Sequence, residues 1–260
     1  MTPSSRTTTA LTSVLAVAVA GVCGAVVLRQ VDDSGSAGLG YPPVPADARP
    51  GRVLAPVAVV ASGPYLAEHL LPGGVPATYD PCRPVHYVVN PSAMPEGAGA
   101  LLADAVAAVS AATGLALVDD GSTDEPLDPH RDVVQRERYG NRWAPVLIGF
   151  SDARGYPALG GDVAGVGGSS LVQPRGPASG RLVSGQVALD VDVLTDLVTR
   201  GHADQARAIM MHELGHVVGL DHVQDPAQLM YPRNRGLTAF GPGDLEGLAV
   251  LGHGVCHTDT

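Results

Sequence analysis

Residues 212–222 read His-Glu-Leu-Gly-His-Val-Val-Gly-Leu-Asp-His, and the reading of the whole chain begins there. In a helix, residues four apart share a face, so His212 and His216 can aim two imidazoles at one metal ion, with Glu213 one position round. On a continuing helix a third imidazole six residues past His216 would lie about 9 Å further along the axis, on the wrong side. The helix must therefore stop first. Gly219 sits three residues after His216, and glycine readily adopts the backbone conformation that ends helices and reverses the chain. His222 can then return to the same ion.

The five letters HExxH occur by chance in many helices; a glycine and a third histidine at these offsets are far more demanding. Zinc at catalytic sites usually keeps three protein ligands and leaves a fourth position for water. His212, His216 and His222 supply the three, and Glu213 is placed to accept a proton from attacking water. A structural zinc would normally want a fourth protein ligand, preferably cysteine, and none lies in the stretch.

Leu229-Met230-Tyr231-Pro232 follows after a short polar turn. HELGHVVGLDH followed by LMYP resembles the matrixin branch of the metzincins, the matrix-metalloproteinase-like zinc endopeptidases. The resemblance implies one catalytic zinc, a protein or peptide substrate, and Met230 as the methionine of a tight turn beneath the ligands. Tyr231 directly follows that methionine and is given a structural role. Gly185-Gln186-Val187-Ala188-Leu189-Asp190 resembles the strand preceding the active-site helix, and Pro242-Gly243-Asp244-Leu245 the start of the final helix. By the same resemblance, the glycine-rich strand near Val163–Gly168 forms the upper rim of the cleft, and Tyr231–Leu237 walls the pocket for the residue after the scissile bond. Coverage runs from about Asp80 to Gly252. No Pro-Arg-Cys-Gly segment of the type that blocks zinc in the family is found. Asp80-Pro81-Cys82-Arg83-Pro84 matches it poorly, so Cys82 is not expected to be a latency switch. No clear calcium set emerges either. Asp119, Asp120, Asp124, Asp128 and Asp162 read as an acidic solvated surface, and His86 and His130 as ordinary histidines.

Composition limits the alternatives. The 260 residues allow one sizeable domain with appendages, and 45% are hydrophobic while only 4% are aromatic, so the core must be built from Ala, Val and Leu. All 16 basic residues are arginine, and Gly and Pro are abundant, a bias expected of a G+C-rich, actinobacterial-type genome. A net charge of -10 with no run of arginines argues against nucleic-acid binding.

Ala10–Leu28 is apolar over about 19 residues, long enough for a membrane anchor or a secretory signal peptide. The expected organisation is a cytoplasmic N-terminus (1–9), that segment (10–28), a Pro/Gly-rich stalk or pro-segment (29–79) and a zinc protease domain (80–260). The domain would be monomeric and face outward at the cell membrane, or be secreted if the segment is cleaved. Within 29–79, Val53–Val60 reads as a short strand and Tyr65–Leu71 as a helical turn. In an oxidising compartment Cys82 and Cys256 would form a disulfide tying the domain's ends together.

Within the domain, strands are predicted at Val85–Val89, Leu115–Val118, Ala144–Phe150, Val163–Val172 and Gly185–Val191. Asp119–Asp132 reads as an acidic loop. Helices are predicted at Pro95–Ala112, Val193–Val218 and Leu245–Leu251. The fold class is α+β, a metzincin-like domain with a twisted, mostly parallel five-stranded sheet and three helices. The leading function is zinc-dependent peptide hydrolysis. The competing class, a cell-surface binding module that keeps the fold without turnover, is disfavoured by the intact Glu213.

Overall fold

A computed structural model describes residues 40–259 apart from Asn234. The apolar segment Ala10–Leu28 lies outside the described residues, among which no helix is long and apolar enough to cross a membrane. In chain order the elements are β1 (Leu66–Ala67), β2 (Leu70–Leu71), β3 (Val75–Pro76), β4 (Val85–Asn90), α1 (Ala98–Thr113), β5 (Leu117–Ser122), α2 (Arg136–Tyr139), β6 (Val146–Ser151), β7 (Gly165–Val172), β8 (Arg181–Asp190), α3 (Val191–Thr199), α4 (Ala203–Val217), β9 (Leu220–Asp221) and α5 (Pro242–Leu251).

Five strands form one sheet in the order β5-β4-β6-β8-β7. The first four run parallel, and β7 is antiparallel to β8 at the edge. Central β6 reads Val-Leu-Ile-Gly-Phe-Ser and is buried on both faces over its first five residues, as parallel strands covered on both sides require. Antiparallel β7 is left with one free edge.

Helix α1, an Ala/Leu/Val segment punctuated by Gly97 and Gly114, packs on α4 and α5. Leu102 and Val109 of α1 meet Ile209, Met210 and Leu214 of α4 and Leu248 and Leu251 of α5 in one continuous core. Each fully buried leucine or isoleucine contributes roughly 1.5–3 kcal/mol of apolar burial. Because aliphatic side chains fill this core, helices can approach closely where glycine permits.

Several features differ from the sequence reading. The helix expected over Val193–Val218 is two helices, α3 and α4, separated by Arg200-Gly201-His202. Gly201 takes φ 80° there, a left-handed conformation that stops α3 and redirects the chain. The sheet domain therefore has four helices of nine residues or more among the described residues, not three. Strand β5 runs into the acidic stretch as far as Ser122, so the expected loop starts later.

The described part of the segment expected to be a stalk or pro-segment packs on the domain from Tyr41 onward. Arg49 and Val53 N–H groups donate to the Cys82 and Pro81 carbonyls, and the Arg52 guanidinium donates to the Gly252 carbonyl at 2.9 Å. No strand forms over Val53–Val60. In place of a helical turn, residues 66–76 make three two-residue strands: β1 pairs antiparallel with β9, and β2 with β3 across Gly73-Gly74. Cys82 and Cys256 are joined in a disulfide with a Cα–Cα distance of 5.3 Å. Cys82 is thus engaged in a bridge that ties the start of the sheet to the end of the chain.

Candidate metal centre

Helix α4 brings His212, Glu213 and His216 into the core, all under 5% exposed. It ends at Val217, and Gly219 takes φ 106° to turn the chain back. A Cβ at Gly219 would also press on Leu182 and Leu251 at 3.3 Å. β9 follows and delivers His222. The three Nε2 atoms lie 3.1, 3.1 and 3.3 Å apart.

The ring tautomers follow from the other nitrogens. His212 Nδ1 lies 2.7 Å from the Leu229 carbonyl oxygen, and His216 Nδ1 lies 2.8 Å from that of Leu220. A carbonyl only accepts, so both Nδ1 atoms carry the proton and both Nε2 atoms present lone pairs. Burial, then the neighbouring imidazoles, push the pKa of His212 well below the ordinary value. The same causes, burial first and then His222, push His216 down to about 4. His222 is also lowered by burial, partly offset by Asp221. Neutral imidazoles with converging lone pairs repel one another unless a cation sits between them. A tetrahedral ion with nitrogen ligands at about 2.0–2.1 Å would hold those nitrogens roughly 3.3 Å apart, so the donor set fits zinc.

Glu213 is fully buried, and neither carboxylate oxygen has a hydrogen-bond partner within the protein. Burial pushes its pKa up to about 8, against a smaller opposing effect of the Gly167 backbone N–H. The glycines of β7 make its position possible. A Cβ at Gly165 would lie 2.7 Å from Glu213 Cγ, and one at Gly167 would clash with the Glu213 backbone. The sequence reading places these glycines on the strand at the rim of the cleft, and the close approach of that strand to α4 is the reason they are glycines.

Met230 is buried beneath the helix, where a Cβ on Gly215 would come within 2.8 Å of its Sδ. It therefore packs against α4. Tyr231 follows, with the Arg235 guanidinium 5.7 Å from its ring centroid.

Sequence reading assigned no role to two residues that hold this turn. Asp244, in the first turn of α5 and fully buried, accepts the N–H groups of Leu229 at 2.5 Å, Gly241 at 2.8 Å and Met230 at 3.3 Å. Buried Gln228 accepts the Gly243 N–H at 2.8 Å through Oε1 and donates to Asp225 through Nε2. Since the Leu229 carbonyl accepts from His212, Asp244 orients a histidine it never touches. The available signal was an acidic residue in the first turn after Pro242, which reads only as a helix N-terminus.

The acidic surface does not converge on a cation. Asp119 and Asp128 accept nearby backbone amides, and Asp120 is bonded by His86 and Arg142. His86 also bonds Asp47 at 2.7 Å, and Asp162 and His130 are exposed. Asp124 pairs with Arg138. The loop is stapled by Glu125, 4% exposed, which accepts two bonds from Arg131 at 2.7 and 2.9 Å and one from Tyr139 at 2.6 Å. Among the described residues, apart from the histidine triad, only Asp80, Cys82 and Cys256 bring three ligand-type atoms together, and those sulfurs are already bonded to each other.

Compared with known proteins, residues 96–241 match a family model described as Matrixin. No curated protein sequence matches the chain. Among solved structures, archaemetzincin from Methanopyrus kandleri is similar at 14% identity with a TM-score of 0.41, over 63% of this chain and 92% of that one.

Proposed function

The chain belongs to the matrixin family, and from that premise we propose that it is a zinc-dependent endopeptidase. His212, His216 and His222 would hold the ion, and Glu213 would act as general base. The observation that carries this reading is the convergence of three Nε2 atoms within 3.3 Å beside a buried carboxylate with no partner of its own.

When bound, zinc supplies a Lewis acid that lowers the pKa of water and favours negative charge on the substrate carbonyl oxygen. The chain's own groups do the rest. The Nδ1–H bonds of His212 and His216 to backbone carbonyls fix their rings and leave Nε2 free for the ion. Glu213 takes the proton of the attacking water on a carboxylate oxygen and returns it to the departing amine. Burial raises its pKa in the metal-free protein, and the charge of a bound ion beside it would restore the carboxylate form that accepts the proton. The free edge of β7, next to Glu213, offers backbone N–H and C=O groups to an extended peptide, which fits a protein substrate rather than a small rigid one. The Cys82–Cys256 disulfide supports placement of the domain outside the cytoplasm, either tethered through the N-terminal segment or released.

The decisive comparison is Glu213→Ala against wild type on unfolded protein substrates, with zinc content measured in parallel. Zinc uptake with cleavage abolished is expected. Equal cleavage by both would sink the mechanism, and zinc bound without any cleavage by wild type would favour a binding module that keeps the fold. His222→Ala is expected to lose stoichiometric zinc; full retention would remove it from the ligand set.

A further inference from the structure

His222 differs from the other two histidines in standing beyond the end of α4, on the turn that follows it. Its ring reaches the other two only if Gly219–Asp221 keeps one path. On one side that path is fixed by the Leu220 carbonyl, which accepts from His216 Nδ1 at 2.8 Å. On the other side stands β1. The two-stranded sheet β1–β9 is the only strand pairing of β9 among the described residues, with Leu66 opposite Asp221 and Ala67 opposite Leu220. The ladder is extended by the Glu68 N–H, which donates to the Gly219 carbonyl at 2.9 Å.

β1 is itself anchored elsewhere. Ser62 and Gly63 N–H groups donate to the Glu246 carboxylate at 2.6 and 3.1 Å, and Tyr65 packs on Gly247, where a Cβ would lie 2.8 Å from its ring. Both anchors are on α5. The same helix, through Asp244 and Leu229, orients His212.

We infer that residues 63–69, which lie outside the family-matched region 96–241, form a positioning element for His222: they carry the fixed position of α5 to the turn that delivers the third ligand. The inference rests on the reading of His222 as a metal ligand. Its physical basis is that a ligand on an unbraced turn must be ordered when the ion binds, and that ordering cost lowers affinity.

The experiment uses the full-length chain and zinc alone. Glu68→Pro removes the N–H that bonds Gly219, whereas Glu68→Ala keeps it and removes the carboxylate. Zinc affinity, read by chelator competition, is expected to fall about tenfold or more in Glu68→Pro, in the range typical of lost outer-shell support, and to stay within about twofold of wild type in Glu68→Ala. The visible spectrum of the cobalt-substituted protein should shift in the same variant alone. Glu125→Ala, which unpairs Arg131 within the acidic loop and removes no hydrogen bond of α5 or β9, controls for general destabilisation: a lower Tm with zinc affinity unchanged is expected. By reciprocity, zinc loading of the wild-type chain should slow amide exchange across Leu66–His69 about tenfold, a readout that needs no variant to fold.

Unchanged affinity in Glu68→Pro, or amide exchange across Leu66–His69 indifferent to zinc, overturns the inference while leaving the metal centre intact. Equal losses in Glu68→Pro and Glu68→Ala would assign the effect to the side chain and overturn it too. A wild-type chain that takes up no zinc through its histidines removes the inference and the proposed function together.

Discussion

Replacing Asp244 should damage both the stability of the fold and the affinity for metal, because one buried carboxylate serves both. It accepts three backbone N–H groups, two at 2.5 and 2.8 Å and a weaker one at 3.3 Å. Hydrogen bonds to a charged acceptor contribute about 1.5–3 kcal/mol each, and buried donors left without a partner cost a similar amount. Taking about 2 kcal/mol for each short bond and about 1 for the long one, Asp244→Ala should cost roughly 5 kcal/mol, a large share of the 5–15 kcal/mol typical of a domain. In Asp244→Asn one oxygen can still accept from Leu229 and Gly241, while the amide nitrogen faces the Met230 N–H. The cost should be about 2 kcal/mol. Urea unfolding of the metal-free protein measures these values, and chelator competition measures zinc. The Leu229 carbonyl shares a rigid peptide plane with the Met230 N–H that donates to Asp244, and His212 Nδ1 bonds that carbonyl at 2.7 Å, so zinc affinity in Asp244→Asn should drop about 10- to 100-fold. A loss below about 1 kcal/mol in Asp244→Ala, outside the range these bonds require, would refute the stability reasoning. Wild-type zinc affinity in Asp244→Asn would refute the link from α5 to His212.

Gly165→Ala places a Cβ 2.7 Å from Glu213 Cγ, so cleavage should fall at least about tenfold with one zinc still bound; undiminished turnover would show that the carboxylate has room to move. Glu68 is pushed up to about 7 by burial, with Asp221 adding to the shift. The protonated form therefore favours the folded state: this contribution is complete below the unfolded pKa of 4.5 and is lost as pH rises through about 7. Glu68→Gln, which cannot ionise, should gain stability over wild type across that window, reaching about 1–2 kcal/mol at pH 8; an advantage that is the same at pH 4 and pH 8 would contradict the shift. Cys82→Ser removes a crosslink spanning 174 residues, for which chain entropy gives about 5 kcal/mol and measured losses run roughly 2–5. Wild-type unfolding with and without reductant should reproduce that difference, and no difference would count against the bridge.

The parts that could be read from sequence alone are those set by local spacing. His212, Glu213 and His216 share one helical turn, so their grouping needs only the 3.6-residue period. The position of Gly219 required the helix to end before His222, and a hydrophobic run such as Val146–Phe150 reads as a buried strand without knowledge of its neighbours. The break at Gly201 was not legible, since a single glycine in a helical pattern costs only about 1 kcal/mol and can be tolerated inside a helix. β1 was not legible either: two residues have no periodicity, and β1 exists because β9 lies opposite. The same holds for Glu125, whose role is set by Arg131, Tyr139 and the fold of a loop.

The sequence by itself thus determined which three histidines meet, the glutamate beside them and the fold class, because the grouping follows from residues near one another in the chain. Only the tertiary structure decided how those donors are held. The carboxylate of Asp244 meets an amide 15 residues earlier, and Glu68 meets a carbonyl on the far side of the domain's chain. Such contacts depend on where packing leaves each backbone group, and a buried N–H or C=O is satisfied by whichever partner the fold brings to it.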